Sequence, residues 1–545
     1  MFVRRLLLPL VCLALIAPSS PSAVATSSSL AQMACSIPHE QLVRIWRGID
    51  PGRSGDIQIL PQEPNFVNGG LSHAGPWPYT QDVPMFWYGP GWIRPGTYAR
   101  PVTEADVAPT EADLLNFRQF TAPDGSPMKE ALLPKAERST APPLIVTLVW
   151  DAGGWDVLNA WKHEWPYLHS LFPKGALYTH ATSGSSPSNT PPIHATIGTG
   201  AFPSRSGIAD DYARIAGGIQ KPYELGPGVL MEPTLGDLYD RDMGNRPVVG
   251  AVATLDAHLG MLGHGSLWGG GDKDIAVTRE LTNAGTAGAE GFKWDLSPAM
   301  APYYRFPAYV NSVPGFQSDL QKLDLLDGQD DGKWRNNPIQ QMHQGFDTPA
   351  RTPYQTRIIE QIVSREGFGK DDVPDLLSLN YKAIDTIGHL FSLNSLEMKD
   401  AVSYQDVALR QLVEFLNREV GQDRWVMVLT ADHGHQYDPA VSGAFLIGID
   451  QLQADIEKEF DSDSDGVPVV QKVRTTQIWI DQRELAQNGH TLDQVAQFIS
   501  QLTEADTVKP TETIQPGHAD DPVFAAAFPT SLMPHLSCLR GASAG

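Results

Sequence analysis

Three largely apolar stretches, each followed closely by an aspartate, constrain the fold of this chain more than any other feature. They are Leu144–Trp150 before Asp151, Leu376–Tyr381 before Asp385, and Trp425–Thr430 before Asp432. Stretches of this kind are typical of central β-strands that are covered on both faces. The carboxyl ends of parallel strands meet at one edge of a sheet, where such sheets bind ligands. The three aspartates are therefore expected to lie close together.

Segments with helical periodicity separate these stretches, at Tyr354–Arg365 and Val402–Val420. The alternation of strands and helices predicts the α/β fold class, with a central, mostly parallel sheet flanked by helices. We expect one large domain over residues 36–545. Within it, the Gly-, Pro- and Trp-rich range 211–375 is expected to form a cap insert that shapes a pocket.

The charge of the chain excludes one class of partner. The chain has 545 residues, with 40 Lys and Arg against 63 Asp and Glu, which gives a formal net charge of −23. Proteins that bind nucleic acid by neutralising its phosphates need a basic face. We therefore expect no nucleic-acid-binding surface.

Residues 1–25 have the pattern of a secretory signal peptide. Arg4 and Arg5 precede the apolar run Leu6–Ala17, which is short for a membrane span, and Ala23-Val-Ala25 offers small residues for cleavage. The alternative interpretation is a membrane anchor. With the signal peptide removed, we expect a secreted or periplasmic chain without a membrane span.

The use of cysteine fits an exported protein. Of the three cysteines, Cys12 lies in the predicted signal peptide, which leaves Cys35 and Cys538. Disulfides persist outside the cytosol, so these two residues are expected to join the ends of the mature chain. The alternative is a pair of independent thiols.

Aspartate and histidine occur together where the strands end. Asp385 and His389 are four residues apart, close enough to share an ion, and Asp432 and His433 are adjacent. Carboxylate oxygens and imidazole nitrogens are ligands for Zn²⁺ and related divalent ions. Together with Asp151, these residues supply ligands for two ions.

The segment around Thr190 carries a candidate nucleophile. Pro191 suits the first helical position, which makes Thr190 the expected helix N-cap. One interpretation is a capping residue and no more. The other is that the hydroxyl faces unpaired N–H groups and the positive end of the helix dipole, where an anion binds. A metal ion on the same oxygen would lower its pKa and make it a nucleophile.

The order of these motifs resembles that of a known superfamily. Asp151 is followed by Thr190-Pro-Pro-Ile-His-Ala-Thr196, Asp385-Thr-Ile-Gly-His389 and Ala431-Asp-His-Gly434. This series is similar to the alkaline phosphatase superfamily, above all to its type I phosphodiesterase/nucleotide pyrophosphatase branch. The resemblance implies an alkaline phosphatase-like fold with two Zn²⁺ ions, or other divalent ions, beside a threonine nucleophile. One ion would be held by Asp151, Thr190, Asp432 and His433, and the other by Asp385 and His389.

In this family the second ion takes one more histidine, from a segment near the C-terminus. Here the C-terminal candidate, His518, matches poorly, whereas His73 and its surroundings resemble the family's final stretch. The resemblance therefore implies a circularly permuted order, in which residues 36–125 correspond to the usual C-terminal part. His73 becomes the third ligand, with His518 as the alternative. The new chain ends would be neighbours, as a disulfide between Cys35 and Cys538 requires.

Two departures from the family concern substrate binding. Asp211 stands where the phosphodiesterase branch has an asparagine that holds a phosphoryl oxygen, and a carboxylate repels that oxygen unless it is protonated or turned to a cation. The Lys-Asp-Arg element of related phosphatases is also missing from the comparable stretch Val249–His258. His258, His264 and Lys273 are the candidate substitutes. The scarcity of positive charge favours a monoanionic diester substrate.

The resemblance thus implies an exported, metal-dependent hydrolase of phosphoric esters. We expect a phosphodiesterase or nucleotide pyrophosphatase that acts on a small-molecule substrate through a phospho-threonine at Thr190. One alternative is an alkaline phosphomonoesterase of the same superfamily. Another, from a different class, is a non-catalytic exported binding protein, which the 13 tryptophans would suit. A sulfatase is excluded, because threonine cannot be converted to formylglycine.

Overall fold

The computed structural model describes residues 21–68, 70–138, 140–258, 271–280, 293–342, 345–463, 465–508, 514 and 516–541. Its strands, numbered in chain order, are β1 (Ile57–Pro61), β2 (Phe66–Val67), β3 (Asp82–Tyr88), β4 (Gly96–Tyr98), β5 (Val102–Thr103), β6 (Leu144–Trp150), β7 (Ala176–Thr182), β8 (Ala213–Ile215), β9 (Gly218–Gln220), β10 (Val249–Val252), β11 (Ile275–Glu280), β12 (Lys293–Asp295), β13 (Lys333–Trp334), β14 (Asn337–Pro338), β15 (Asp375–Tyr381), β16 (Trp425–Thr430), β17 (Leu446–Ile447), β18 (Val470–Val473), β19 (Gln477–Ile480) and β20 (Phe524–Pro529).

Ten of these strands form one sheet, which confirms the predicted α/β architecture. Its order is β12-β11-β10-β15-β6-β16-β3-β7-β4, and β5 pairs with β7 as well. The five neighbours from β11 to β16 run parallel, whereas β12 and β3 are antiparallel to their neighbours. The three strands predicted from the sequence are β15, β6 and β16, which lie side by side.

The central strand β6 is covered on both faces, as its sequence predicts. All seven of its side chains are buried. Leu144, Val146, Leu148 and Trp150 pack in one apolar cluster, and Ile145 and Val149 pack in another. Successive side chains of a strand point to opposite faces, so a strand between two cores needs apolar residues at nearly every position.

Helices pack on both faces of the large sheet. The described α-helices are Pro21–Ser36, His39–Arg47, Pro78–Gln81, Val107–Leu115, Trp155–Ala160, Pro166–Leu171, Thr190–Thr199, Pro203–Ser206, Leu235–Asp242, Phe316–Asp324, Arg351–Glu366, Ala383–Phe391, Leu396–Leu416, Pro439–Ser442, Ile449–Phe460, Gln482–Gln487, Leu492–Ser500 and Glu504–Thr507. The two predicted helices are therefore present, at Arg351–Glu366 and Leu396–Leu416. The second begins earlier than predicted, and its last predicted turn is the π-helical segment Asn417–Gly421.

The N-terminal part of the chain belongs to both of the larger sheets. β3 lies between β16 and β7 and joins the two parts of the ten-stranded sheet. β1 lies in a four-stranded sheet of order β18-β19-β1-β20, between two strands from the C-terminal part of the chain. The smaller sheet has an apolar cluster of its own.

A disulfide joins Cys35 and Cys538, as predicted, with their Cα atoms 5.7 Å apart. Cys35 lies in the helix Pro21–Ser36, and Cys538 lies in the final 3₁₀ turn, Ser537–Leu539. Both cysteines pack against the apolar cluster of the smaller sheet. The bond therefore ties the first described helix to the last described turn.

The range 211–375, expected to form a cap, does not stand apart from the large sheet. Three strands of that range, β10, β11 and β12, extend one edge of the sheet, and β10 pairs in parallel with β15. Part of the approximate range 211–375 therefore belongs to the central sheet, and a cap formed by the rest of it stays a prediction.

The predicted signal peptide is described only in part, since residues 1–20 lie outside the described residues. Within the described part of the chain, no helix combines the length and the apolar character needed to cross a membrane.

Candidate active site

The carboxyl ends of β15, β6 and β16 meet at one edge of the sheet. In the parallel register Tyr381 lies opposite Trp150, and Thr430 lies opposite Val149. The N–H of Asp151 donates to the carbonyl of Tyr381 at 3.1 Å. The residues that follow the three strands, among them Asp151, Lys382 and Asp432, are thereby placed side by side.

The turn after β6 orients Asp432. This residue belongs to the first group of predicted metal ligands, which consists of Asp151, Thr190, Asp432 and His433. Ala152 adopts a left-handed conformation, with φ 57°, and its N–H donates to Asp432 Oδ1 at 3.0 Å. The N–H of His433 donates to the same oxygen at 3.0 Å. Asp432 Oδ2 is left 3.2 Å from His433 Nε2. Neither atom has a hydrogen-bond partner among the described residues.

His73, Asp385 and His389 form a second group. Asp385 and His389 share one face of the helix Ala383–Phe391, with His389 Nε2 3.4 Å from Asp385 Oδ1. His73 brings its Nε2 to 3.6 Å from the same oxygen. That oxygen has no hydrogen-bond partner in the described part of the chain. His518 instead pairs with Asp521 at an exposed turn, so the structure brings His73, and not His518, to this pair.

Backbone carbonyls hold the histidines of both groups in one tautomer. The Nδ1 atoms lie near a carbonyl oxygen in each case: His73 at 3.2 Å from Ser188, His389 at 2.8 Å from Leu71, and His433 at 2.8 Å from Gly434. A carbonyl oxygen only accepts, so Nδ1 carries the proton and Nε2 of the neutral ring keeps its lone pair. Histidines that bind metals usually donate their other N–H in this way.

The two groups fit two divalent ions. Asp432 Oδ2, His433 Nε2 and Asp385 Oδ1 are buried polar atoms without hydrogen-bond partners among the described residues, which costs free energy unless a ligand satisfies them. Their carboxylate oxygens and imidazole nitrogens suit Zn²⁺. Asp151, Asp385 and His433 place ligand atoms within 4.8 Å of one another, so the two groups are neighbours.

Thr190 is the first residue of the helix Thr190–Thr199, and Asn189 occupies the N-cap position. The prediction that Thr190 is the N-cap was therefore wrong by one residue, because two residues suited to that position stand in succession. Pro191 and Pro192 have no N–H groups, so two of the unpaired donors expected at this helix end are missing. The helix end thus offers fewer donors to an anion than a helix N-terminus normally does.

Lys382, which was not singled out from the sequence, contacts both groups. Its Nζ donates to Asp151 Oδ1 at 2.7 Å and to Thr190 Oγ1 at 3.0 Å. The same nitrogen lies 2.8 Å from Asp385 Oδ2. The side chain is only 9% exposed. The ammonium group therefore contacts the candidate nucleophile and one carboxylate from each group.

These contacts determine the protonation states. Burial alone would raise the pKa of Asp151 and of Asp385, but the attraction of Lys382 and of neighbouring histidines together outweighs burial and holds both pKa values below their usual range. Burial alone would lower the pKa of Lys382, but the two carboxylates raise it. For His433, burial alone would lower the pKa, but Asp432, Asp151 and Asp385 together raise it to about 9. Lys382 is therefore an ammonium ion between two carboxylates.

Two polar side chains contact the other carboxylate oxygen of Asp151. Asn380 Nδ2 donates to Asp151 Oδ2 at 2.9 Å and lies 3.0 Å from His194 Nε2. His258 Nε2 lies 3.0 Å from the same carboxylate oxygen and is fully buried. His258 was predicted to contact substrate, which stays a prediction; the structure shows its contact with Asp151. There it helps to orient the carboxylate.

Asp211 is not free to meet an anion by itself. Its carboxylate accepts a hydrogen bond from the guanidinium of Arg474. The adjacent Asp210 accepts from Asn189 Nδ2 at 2.7 Å, which connects this segment to the start of the nucleophile helix. Asp211 is therefore turned to a cation, one of the two conditions under which a carboxylate can stand at this position.

The remaining predicted substitutes do not add charge to the described site. Lys273 Nζ donates to the carbonyl of Ala301 at 3.0 Å, on an exposed part of the chain. His264 lies outside the described residues. The functional residue that sequence reasoning missed is Lys382. Its one signal is a lysine directly after a buried strand and three residues before Asp385.

Named proteins resemble this chain over part of its length. It is 24% identical over 160 residues to the alkaline phosphatase PafA of Elizabethkingia meningoseptica, and the aligned region covers 28% of this chain and 29% of that protein. It is 26% identical over 333 residues to the alkaline phosphatase PhoK of Sphingomonas sp, covering 54% of this chain and 56% of that protein. It is 23% identical over 351 residues to a calcium-transporting ATPase of Myroides odoratus, covering 56% and 62%. The matches thus span less than two thirds of each relative.

Among solved structures, wild-type PafA matches with a TM-score of 0.47 and 16% sequence identity, covering 71% of this chain and 84% of that chain. A substituted variant of PafA gives a TM-score of 0.48 at the same identity and coverage.

A family match covers most of the chain. The sequence model of the family described as type I phosphodiesterase / nucleotide pyrophosphatase matches residues 145–521. This range contains every residue of the first group, together with Asp385 and His389, and it excludes His73. The motif-based prediction of the family is thereby confirmed: the chain belongs to the type I phosphodiesterase/nucleotide pyrophosphatase family of phosphoric ester hydrolases.

Proposed function

We propose that this chain is a metal-dependent phosphodiesterase or nucleotide pyrophosphatase with Thr190 as its nucleophile. One observation carries the proposal. The buried hydroxyl of Thr190 is held by Lys382, which also contacts a carboxylate of each metal-ligand group. Family membership supplies the reaction class. Asp211, with its partner Arg474, is proposed to lie on the substrate side of the site.

The proposed reaction has two steps. In the first, Thr190 Oγ forms a bond to phosphorus, the bond from phosphorus to the leaving oxygen breaks, and the hydroxyl proton ends on the leaving group. In the second, a water oxygen bonds to phosphorus and the bond from Thr190 Oγ to phosphorus breaks. One water proton returns to Thr190, and the products are an alcohol or phosphate and a phosphomonoester.

The residues present fit two Zn²⁺ ions, although the metal itself is part of the proposal. His73, Asp385 and His389 would hold one ion. The first group, Asp151, Thr190, Asp432 and His433, would hold the other. Bound there, Zn²⁺ supplies Lewis acidity and positive charge beside the phosphoryl group.

A phosphomonoesterase is the second candidate function. Two relatives, PafA and PhoK, carry the name alkaline phosphatase. A monoester dianion also gains more than a diester from a fixed cation, and Lys382 provides one. The description of the matched family and the neutralisation of Arg474 by Asp211 favour the diester.

The permuted chain order is also part of the proposal. Three observations support it: β1 lies between β19 and β20, His73 lies beside Asp385, and the family match begins only at residue 145. We propose that residues 36–125 take the place of the family's C-terminal part. Export through the predicted signal peptide is proposed as well, and the disulfide Cys35–Cys538 supports it.

A paired assay tests the function. Purified protein is incubated with bis(p-nitrophenyl) phosphate or with p-nitrophenyl phosphate, first as isolated, then after chelation and then after addition of Zn²⁺. We expect faster turnover of the diester, loss of activity after chelation and its recovery with Zn²⁺. Faster turnover of the monoester would select the second candidate. If the metal-loaded protein hydrolyses neither ester, a non-catalytic binding protein is the interpretation that remains.

A further inference from the structure

We propose that Lys382 is a catalytic residue of this site. Its ammonium group stabilises the negative charge that develops on the nucleophile, and it lowers the affinity of the site for metal ions. The inference rests on the proposed function in one respect, the identity of Thr190 as the nucleophile. Its other part concerns only the charges around the metal-ligand groups.

The contact with Thr190 gives Lys382 its role in turnover. The ammonium donates to Thr190 Oγ1 at 3.0 Å, so it lies where negative charge develops when that oxygen loses its proton. A donor fixed in this position stabilises the oxyanion without reorganising during the reaction. The same hydrogen bond orients the hydroxyl, because Lys382 is anchored on the far side by Asp151 and Asp385.

The surrounding charges show why a lysine is needed here. Asp151, Asp385 and Asp432 are buried carboxylates at this edge of the sheet. In the described part of the chain, Lys382 is the only lysine or arginine with a charged nitrogen within 4.0 Å of any of the three. Two of the helix-end donors are lost to Pro191 and Pro192, and Arg474 is paired with Asp211. Lys382 is thus the fixed positive charge of the site.

The same position sets Lys382 against the metal ions. It occupies Asp151 Oδ1 and Asp385 Oδ2, one oxygen of a carboxylate in each group. A metal ion must share these carboxylates with the ammonium and is repelled by its charge, and such repulsion is strong in a site shielded from water. Removing the ammonium should therefore tighten metal binding while it slows turnover. A lysine with a purely structural role would, when removed, weaken both.

The test compares Lys382→Met with Lys382→Arg and with Lys333→Met, a matched change at an exposed lysine that pairs only with a neighbouring aspartate, Asp331, on the surface. Zn²⁺ affinity is measured by competition with a chromophoric chelator, and kcat and KM are measured with bis(p-nitrophenyl) phosphate at saturating Zn²⁺. The rise in Tm that Zn²⁺ produces is recorded for each metal-free protein, which also shows that each variant folds.

We expect Lys382→Met to lower kcat about a hundredfold or more, to change KM little, and to bind Zn²⁺ about tenfold more tightly. The rise in Tm on Zn²⁺ addition should be larger than in the wild type. Lys382→Arg should keep wild-type metal affinity, since it keeps the charge, and Lys333→Met should match the wild type throughout. Weaker Zn²⁺ binding by Lys382→Met, or an unchanged kcat, would overturn the inference.

The two proposals fail in different ways. If the wild type hydrolyses no phosphoric ester, the proposed function fails, and the Zn²⁺ affinities still decide whether Lys382 acts against the metal ions. If the wild type is active and Lys382→Met keeps its kcat, the catalytic role of Lys382 fails and the proposed function stands.

Discussion

His73 Nε2 lies 3.6 Å from Asp385 Oδ1, although the two residues come from distant parts of the chain. The carbonyl of Ser188 at 3.2 Å holds the Nδ1 proton of His73, so the Nε2 lone pair faces the carboxylate. His389 approaches the same oxygen at 3.4 Å. Three potential ligand atoms from two separate segments thus lie within 4.8 Å of one another, close enough to hold one metal ion.

Replacement of His73 by alanine should remove one metal ion. The second group would keep only two ligands, Asp385 and His389, which is too few to hold Zn²⁺ tightly. We expect metal analysis to give about one ion per chain where the wild type has two, and diesterase activity to fall about a hundredfold or more. His518→Ala is the control, because His518 pairs with Asp521 at an exposed turn. Loss of a metal ion from the His518 variant, with none lost from the His73 variant, would reverse the assignment.

Replacement of Thr190 by alanine tests the nucleophile. The hydroxyl would be one ligand of the first group, and the two carboxylates and the imidazole of that group remain, so we expect metal content near two ions per chain. Activity should fall at least about a thousandfold, since no other hydroxyl replaces the reacting oxygen. Thr190→Ser keeps the hydroxyl and should keep measurable activity. The wild type quenched in acid while it turns over bis(p-nitrophenyl) phosphate should carry a p-nitrophenyl phosphoryl group on Thr190, detected by mass spectrometry. Full activity of the alanine variant would rule out this nucleophile.

The sequence predicts the parts of the site that local pattern determines. The strands β6, β15 and β16 could be predicted because a strand buried on both faces must be apolar at nearly every position. Asp385 and His389 meet because four residues make about one helical turn. The disulfide partners follow from the removal of Cys12 with the predicted signal peptide, which leaves only two cysteines.

The contacts that sequence reasoning missed join residues far apart in the chain. Lys382 meets Asp151, 231 positions away, and Arg474 meets Asp211, 263 positions away. No periodicity in the sequence identifies such a pair, because the residues around each charged side chain do not indicate its distant partner. The strands β10 to β12 were missed for a related reason: only pairing identifies them as part of the central sheet, β10 with β15, β11 with β10 and β12 with β11.

Removal of the disulfide should lower stability without affecting catalysis. The bond closes a loop of 503 positions, and a closed loop restricts the unfolded chain. We expect the double variant Cys35→Ser, Cys538→Ser to lose about 4 kcal/mol of unfolding free energy in urea. Its kcat in the absence of urea should be unchanged, because both cysteines pack in the cluster of the smaller sheet. Cys35→Ser alone should lose as much stability, and a double variant as stable as the wild type would contradict the prediction.

The pairing of Asp211 with Arg474 should control substrate affinity. Asp211→Asn removes the carboxylate and frees the guanidinium, so the anionic diester should bind better. We expect KM to fall about threefold with kcat nearly unchanged, the size of effect typical of a partly exposed ion pair. Arg474→Met leaves the carboxylate of Asp211 unpaired and should raise KM. If the two variants shift KM in the same direction, Asp211 and Arg474 do not act on substrate through their charges.

Glu111 should make stability depend on pH. The residue is buried below β6, where burial raises its pKa from 4.5 to about 7 despite a hydrogen bond from the hydroxyl of Thr147. A raised carboxyl pKa means that folding favours the protonated form. Its full contribution to stability is present below pH 4.5, and it is lost as the pH rises through about 7. The loss amounts to about 3 kcal/mol.

Glu111→Gln removes this titration and keeps the shape of the side chain and an acceptor for Thr147. The difference in unfolding free energy between variant and wild type, measured in urea at about pH 5 and about pH 9, should therefore depend on pH. Relative to the wild type, the variant should gain about 3 kcal/mol between these two pH values. Subtracting the unfolding free energy of one protein from that of the other cancels the pH effects that both share, including those of the metal-ligand groups. Glu137→Gln, at an exposed glutamate, is the matched control and should show no such gain. A gain equal in both variants would mean that the Glu111 carboxyl is not the group that titrates.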